Sequence, residues 1–481
     1  MDGRMSLERG SEAAIQWIAG EFAKAGLKPA AGDSYLQPVP LIEFTIDRNL
    51  TSLNITYDNR REVFHAPDAR ANFADEISVA AAVVFAGYGI TAPELNYDDY
   101  AGIDAKGKIV LVFNHEPHEA DAASVFNGQG NTLYANNTYK LFNAERHGAR
   151  AVLVMPDPNH QGPIRHTTAA SARIAPEALA EGGPGIPLFS VTERVANVLF
   201  AAAGKKAAAI QNAIDSKLTP ASFDVPGPTI ELRTALAERR RGISWNVAGL
   251  IEGTDPTLKA ETIVFSAHFD HNGSGPNGIY HGADDNGSGT AGVVALAHAF
   301  ASNPVKPRRS LLFIIFAAEE RGLLGSYYYV SHPLRPLATT RAQINFDMIG
   351  RNEAADPRVI TEISPDTSNQ LGLIGTDYSS DYRQTIERQN KTVGLDLTYK
   401  WDRDAYNGVL FRSDQYPFLM RDIPAIWWFT GFHPDYHQVT DTVDKINFEK
   451  MAKILKLAYL SGFEFADELH PPRFEPRAKS N

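Results

Sequence analysis

Four short stretches gather residues that can hold a metal or move a proton: His268-Phe269-Asp270, Asp284-Asp285 within GADDNGSG at 282–289, Glu319-Glu320, and Asp347. Carboxylates crowded into a small volume repel one another and raise each other's pKa unless a cation balances them. A multivalent metal is the simplest balance. Imidazole with carboxylate is ligation that suits Zn²⁺, with Mn²⁺ or Co²⁺ as substitutes, whereas Mg²⁺ and Ca²⁺ seldom use histidine. One catalytic zinc takes three protein ligands, and the candidates exceed that number, so two ions ~3.5–4 Å apart with one bridging carboxylate are expected. Asp270 lies two residues after His268, on the same side of a strand, where its carboxylate is expected to accept the imidazole's other N–H.

These stretches make sense if each follows a strand, because ligands in open α/β sheets bind beyond the carboxyl ends of the strands. Beyond residue 240 the sequence alternates accordingly: strand at 262–267, helix at 289–301, strand at 311–317, helix at 322–330, strands at 342–349 and 425–430, and a last helix at 448–467. The fold class is α/β, a mixed, largely parallel sheet flanked by helices. Near the start, Ile15, Ile18, Phe22 and Ala25 recur at helical spacing before Gly26, predicting a helix over 11–25. From about 76 short apolar runs at 79–86, 109–113 and 151–154 alternate with turn residues and predict a separate strand-rich unit. The Pro-rich stretch 219–228 is expected to be a linker, Arg239-Arg240-Arg241 a solvated face, and 471–481 a frayed tail. The predicted division is 1–75 as the first part of the catalytic unit, 76–229 as an insertion, and 230–470 as the catalytic unit proper.

Composition narrows the partners. The 481 residues are 43% hydrophobic and 21% charged, as in folded globular chains. Lys plus Arg number 46 against 57 Asp plus Glu, a net charge of −11 that disfavours nucleic acid and anionic lipid as partners. No cysteine is present, which excludes disulfides, thiolate nucleophiles and iron–sulfur clusters, so any metal must be held by nitrogen and oxygen. No apolar run approaches the ~18 residues of a membrane span. The first ten residues lack the basic and apolar regions of a signal peptide.

In these residues the sequence resembles the co-catalytic di-zinc aminopeptidase family, which also holds glutamate carboxypeptidases and the inactive transferrin receptors. The resemblance rests on HFDH at 268–271, GADDNGSG at 282–289, EERGLLGS at 319–326, NFDMIGR at 345–351 and DYHQVTDTVDKI at 435–446, in the family's order. It implies a zinc-exopeptidase type of sheet, His268 and Asp347 as ligands of one zinc, Glu320 and His437 as ligands of the other, Asp284 as the bridge, Glu319 as general base, and a cis peptide between Asp284 and Asp285. It also implies a peptide substrate whose free amino terminus docks at the Glu320–His437 end. Segments at 97–104, 107–112 and 143–149 look like a protease-associated domain, and the opening GRMSLERGSEAA resembles the start of mature family members. Export to the periplasm or outside the cell, with the leader absent from this sequence, follows from that likeness; a cytoplasmic location is the alternative. Relatives commonly have histidine at the place of Gln415, so that residue receives no role.

Blander readings apply to several neighbours. His271, His281 and His433 lie near the motifs without being assigned as ligands. His115, His118, His147, His160 and His166 are read as surface or loop residues, Asp414 and Tyr406 as structural, and Trp427-Trp428-Phe429 as core strand, with Phe429 and Phe432 as candidate lining. Arg351 is expected to form a structural salt bridge. Two G-x-G-x-x-G matches, at 273–278 and 287–292, lack the strand-to-helix context of a dinucleotide site. The expected activity is that of a zinc-dependent aminopeptidase; a carboxypeptidase or dipeptidase with the same site, or an inactive binding protein, are the alternatives.

Overall fold

The computed structural model describes residues 1–119, 121–128, 130–160, 175–404 and 407–476. Two sheets organise them. The first has ten strands, and its central strands run in the order Leu236–Ile251, Ser310–Phe316, Thr262–His268, Thr340–Phe346, Ala425–Phe429. From Ser310–Phe316 to Ala425–Phe429 these neighbours are parallel, while Leu236–Ile251 and the strands beyond it pair antiparallel. Thr262–His268 and Ser310–Phe316 are buried along their whole length, because helices cover both faces of a parallel centre. Their sequences are therefore mostly apolar, TIVFSAH and SLLFIIF. One face packs against Arg9–Lys24, Gly289–Ser302 and Phe448–Asp467 through Ile18, Phe22, Phe300 and Leu457. These helices lie within two residues of the predicted bounds. Among the described residues, no helix is long and apolar enough to cross a membrane.

The second sheet has eight strands, with parallel neighbours Ile77–Phe85, Ile109–Phe113, Ala151–Met155 and Leu188–Val191 at its centre and its own core around Phe85, Leu111 and Phe200. It takes strands from Ser52–Tyr57 onward, so its first three lie inside the 1–75 stretch that the sequence assigned to the catalytic unit. Conversely, Glu177–Leu179 returns to the first sheet. The chain crosses between sheets twice at one place, where Thr51 Oγ1 accepts from the Ala235 N–H at 3.0 Å.

Two expectations change here. The stretch read as a linker contains the start of the strand Phe223–Thr234; Pro226 and Pro228 fall where its register shifts between Val225 and Thr229, a bulge where a missing N–H does no harm. The tail is docked as far as it is described: the Glu475 carboxylate accepts from Ser380 Oγ at 2.8 Å, and Phe474 stacks on Tyr378. The basic run is a strand edge, with Arg240 paired to Glu43 at 3.0 Å and Arg239 to Asp75 at 2.6 Å.

Candidate metal centre

Each chemical residue sits where a strand of the first sheet runs out. His268 ends Thr262–His268, Asp347 follows Thr340–Phe346, Glu319 and Glu320 follow Ser310–Phe316, and His437 lies in the loop after Ala425–Phe429. Three non-glycine residues at these turns, Ala318, Met348 and His437, adopt positive φ of 54°, 59° and 55°. Left-handed backbone of this kind clusters at functional sites, where the surroundings over-determine it.

The fifth contribution comes from the turn before Gly289–Ser302. Asp285 and Asn286 leave helical geometry there, and the peptide between them is cis. Asn286 pins the turn to the end of the neighbouring strand: its Oδ1 accepts from the Gly289 and Met348 N–H groups, and its Nδ2 donates to the Phe346 carbonyl at 2.9 Å. Asp441 holds it from the other side, accepting from the Asp284 and Asp285 N–H groups at 3.0 and 3.1 Å.

The result is two groups of donors that share one carboxylate. Asp285 Oδ1 stands 3.6 Å from His268 Nε2, which is 3.4 Å from Asp347 Oδ1. Asp285 Oδ2 stands 3.1 Å from His437 Nε2, which is 3.1 Å from Glu320 Oε2. Ligands at ~2.0–2.1 Å in tetrahedral array lie roughly 3.3 Å from each other, so the spacing suits zinc. A metal also answers a local need: His268 Nε2 and Asp347 Oδ1 are buried, face each other, and have no hydrogen-bond partner. Imidazole and carboxylate donors of this kind fit a pair of zinc-like ions.

This geometry corrects the sequence reading in three places. The shared carboxylate is Asp285, not Asp284. Asp284 turns away, accepting from the Gly350 N–H at 2.7 Å and Ser288 Oγ at 2.9 Å and lying 3.1 Å from His433 Nε2. The cis peptide is likewise one residue later than expected. Asp270, third, does not reach the imidazole with its carboxylate, which is 3.8 Å from His268 Nδ1; its backbone carbonyl is nearer, at 3.2 Å. The Asp270 carboxylate instead accepts from the Glu319 and Glu320 N–H groups at 3.0 and 3.2 Å, fixing the turn that carries both glutamates.

The remaining predicted residues fall around this centre. Glu319 Oε2 lies 3.7 Å from His268 Nε2 and lines the cleft. His271 donates no bond to the first group but sits 2.7 Å from Glu320 Oε1 through Nδ1, orienting that carboxylate. Gln415 donates to the Leu410 carbonyl, Asp414 accepts from Ser326 Oγ, and Arg351 pairs with Asp435 at 2.9 Å, all structural contacts. Tyr406 and His166 lie outside the described residues. Sequence reasoning missed Arg4, whose half-buried guanidinium donates to the carbonyls of Phe269, His281 and Gly282 at 2.6–2.9 Å and so ties the two ligand loops together. A single arginine 265 residues away from its partner carries no local signal.

Electrostatics follow from burial among like charges. Burial, with Asp347, Asp414 and Glu320 adding repulsion, holds the Glu319 carboxyl well above the usual range despite His268. Burial works the same way on Glu320, but His437 and His271 outweigh it and keep that carboxyl well below. Burial opposes a charge on His437, yet Glu320 and Asp285 push it up to about 10. The protein alone thus draws protons onto its imidazoles, the positive charge a bound cation would supply instead.

Above the donors opens a cleft of ≈ 250 Å³, walled by Leu323, Met348, Phe411, Trp427, Phe432 and Tyr436. Arg412 also lines it, donating to Tyr436 Oη at 3.1 Å with its guanidinium over the Phe432 ring. Phe432 and Trp427 are therefore lining residues, while Phe429 stays in the core behind them.

Residues 246–460 match the family model described as Peptidase family M28. Leucine aminopeptidase 2 of Arthroderma otae is 28% identical over 248 residues, 47% of this chain and 46% of that protein. Leupeptin-inactivating enzyme 1 of Streptomyces exfoliatus is 29% identical over 270 residues, 54% of each. The chain spans about half the length of the curated relatives it matches. Among solved structures, the aminopeptidase from Aneurinibacillus sp. strain AM-1 aligns over 98% of this chain and 92% of that one, at 20% identity and a TM-score of 0.46.

Proposed function

We propose that this chain, whose residues 246–460 carry a peptidase domain of family M28, is a metal-dependent aminopeptidase that hydrolyses the first peptide bond of substrates with a free amino terminus. The observation that carries the reading is the placement of Asp285, one oxygen toward His268 and Asp347 and the other toward His437 and Glu320, with Glu319 beside them on an open cleft. On this reading His268, Asp285 and Asp347 would hold one zinc, and Asp285, Glu320 and His437 a second. Such ions, when bound, polarise the scissile carbonyl and lower the pKa of the attacking water.

The chain's own residues supply the rest. Glu319, free of any metal role, takes the water's proton at its carboxylate and delivers it to the leaving amine. Its raised affinity for protons, caused by burial and its acidic neighbours, suits a group that must carry a proton between two steps. Asp270 fixes the Glu319–Glu320 turn, and His271 orients Glu320. The apolar walls at Met348, Phe411 and Phe432 exclude water and receive an apolar side chain. The free α-amino group is taken at the Glu320–His437 end.

A second reading has one observation in its favour. Arg412 is a cation lining the cleft, and a cation there suits the carboxylate of a carboxypeptidase or dipeptidase substrate. Comparing an aminoacyl-anilide, its N-acetylated form and a C-terminal dipeptide substrate separates the two: the aminopeptidase needs the free amine, the carboxypeptidase cleaves the blocked substrate. The likeness of 97–104, 107–112 and 143–149 to protease-associated domains supports the same assignment for the eight-stranded unit, and family members with that insertion are often exported. We extend the proposal to both, to be tested by deleting the unit and by fractionating the native host.

A further inference from the structure

A second cluster of histidines and carboxylates lies far along the chain from the first, in the eight-stranded unit. His115 and Glu119 follow the strand Ile109–Phe113, and Asp157 and His160 follow its parallel neighbour Ala151–Met155. Both loops leave the carboxyl ends of adjacent parallel strands, the position that also holds the catalytic cluster. His115 Nδ1 is 2.8 Å from Asp157 Oδ1 and 3.9 Å from Glu119 Oε2, and His160 Nδ1 is 2.7 Å from that same Glu119 oxygen. The two rings stack with centroids 4.1 Å apart. All four donor atoms lie within 4.8 Å of one another.

We propose that His115, Glu119, Asp157 and His160 form a second, structural metal site for a zinc-type divalent ion, at the root of the segment by which the eight-stranded unit rests on the catalytic unit. Four donors, two imidazoles and two carboxylates, complete a tetrahedral zinc with no position left open, as structural sites require. The present separations bracket the roughly 3.3 Å between ligands of such an ion, and the closest pairs need to open by about half an ångström. Asp157 is buried, and Glu119 Oε1 is buried without a hydrogen-bond partner. His115 adopts a left-handed backbone, φ 51°. Asn114 Nδ2 sits 3.3 Å from His115 Nε2, so this side chain holds the ring from its other nitrogen. Lys140, which also feels the charges of Asp157 and Glu119, donates its ammonium to the carbonyls of Phe113 and His115.

The site's place gives it a task. Glu116, next to His115, accepts from the Thr132 N–H, and the segment so closed presents Asn127 to the Asp402 carbonyl at 3.1 Å and the Leu133 carbonyl to Tyr416 Oη at 2.9 Å. An ion binding His115 to Asp157 and His160 anchors the base of that segment to the second sheet. The test counts zinc on the purified full chain, before and after substitution of His115→Ala with His160→Ala. The proposal predicts about one equivalent fewer in the double variant, with hydrolysis of an aminoacyl-anilide retained as evidence of fold. Equal zinc content in the two active proteins overturns it. Should the variant fail to fold, anomalous diffraction at the zinc edge from crystals of the unsubstituted chain decides: a peak between the four side chains supports the site, and direct imidazole–carboxylate hydrogen bonds with no peak overturn it.

Discussion

The ten-stranded sheet and the eight-stranded sheet both set histidines and carboxylates at the ends of adjacent parallel strands, yet the two clusters differ in what they leave over. Around His115 and His160 every carboxylate is matched by an imidazole at hydrogen-bond distance. Around Asp285 there is a surplus: Glu319 stays unmatched, the nearest imidazole nitrogen is 3.7 Å away, and a cleft opens beside it. Four matched donors close a structural site, whereas catalysis needs an unclaimed base and an open face. On the proposed reading, the difference between holding and reacting is one extra glutamate and the space above it.

The sharpest way to break that contrast is to remove the surplus. Glu319→Gln should lower turnover by roughly 10²–10⁴-fold while leaving metal content unchanged, measured by anilide hydrolysis beside elemental analysis. Loss of metal together with activity would make Glu319 a ligand and erase the distinction. Next in size, Asp285→Asn should lose metal and activity together, and Asp284→Asn should keep its metal, because only Asp285 stands between the two groups. The reverse order would restore Asp284 as the bridge. Asp270→Asn should reduce activity about 10–100-fold through the loosened Glu319–Glu320 turn, with metal retained in part.

A further effect is expected in the eight-stranded unit and shows in stability rather than rate. Burial pushes the Glu116 carboxyl up to about 8 from an ordinary value of 4.5. Its folded state therefore keeps a proton that the unfolded chain gives up, and the stability so contributed is full below about 4.5 and lost as pH rises through about 8. Glu116→Gln cannot ionise, so relative to the parent it should gain up to ~1.4 kcal/mol per pH unit across that window. Denaturant midpoints at several pH values read this directly. Parallel curves for the two proteins would show that Glu116 titrates normally.

Much of the catalytic unit was legible because its physics is local. The central strands are largely buried and so appear as mostly apolar runs, and His268, Glu319, Glu320 and Asp347 follow them where the pattern puts them. Adjacent residues were harder. Asp284 and Asp285 have the same side chain, and only the irregular turn that begins at Gly282 decides which one faces the imidazoles. The strand Phe223–Thr234 was hidden by prolines, which a bulge accommodates without leaving the sheet. Arg4 and the His115–His160 cluster depend on contacts between distant segments: the register of two parallel strands, not any spacing in sequence, brings Glu119 to His160.

The most direct test of the proposed chemistry combines zinc content per chain with hydrolysis of an aminoacyl-anilide and its N-acetylated form, before and after chelation. A metal-dependent aminopeptidase predicts cleavage of the free-amine substrate alone, abolished by chelation and restored by zinc. Cleavage that survives complete removal of metal, or that occurs only on the blocked substrate, would contradict it.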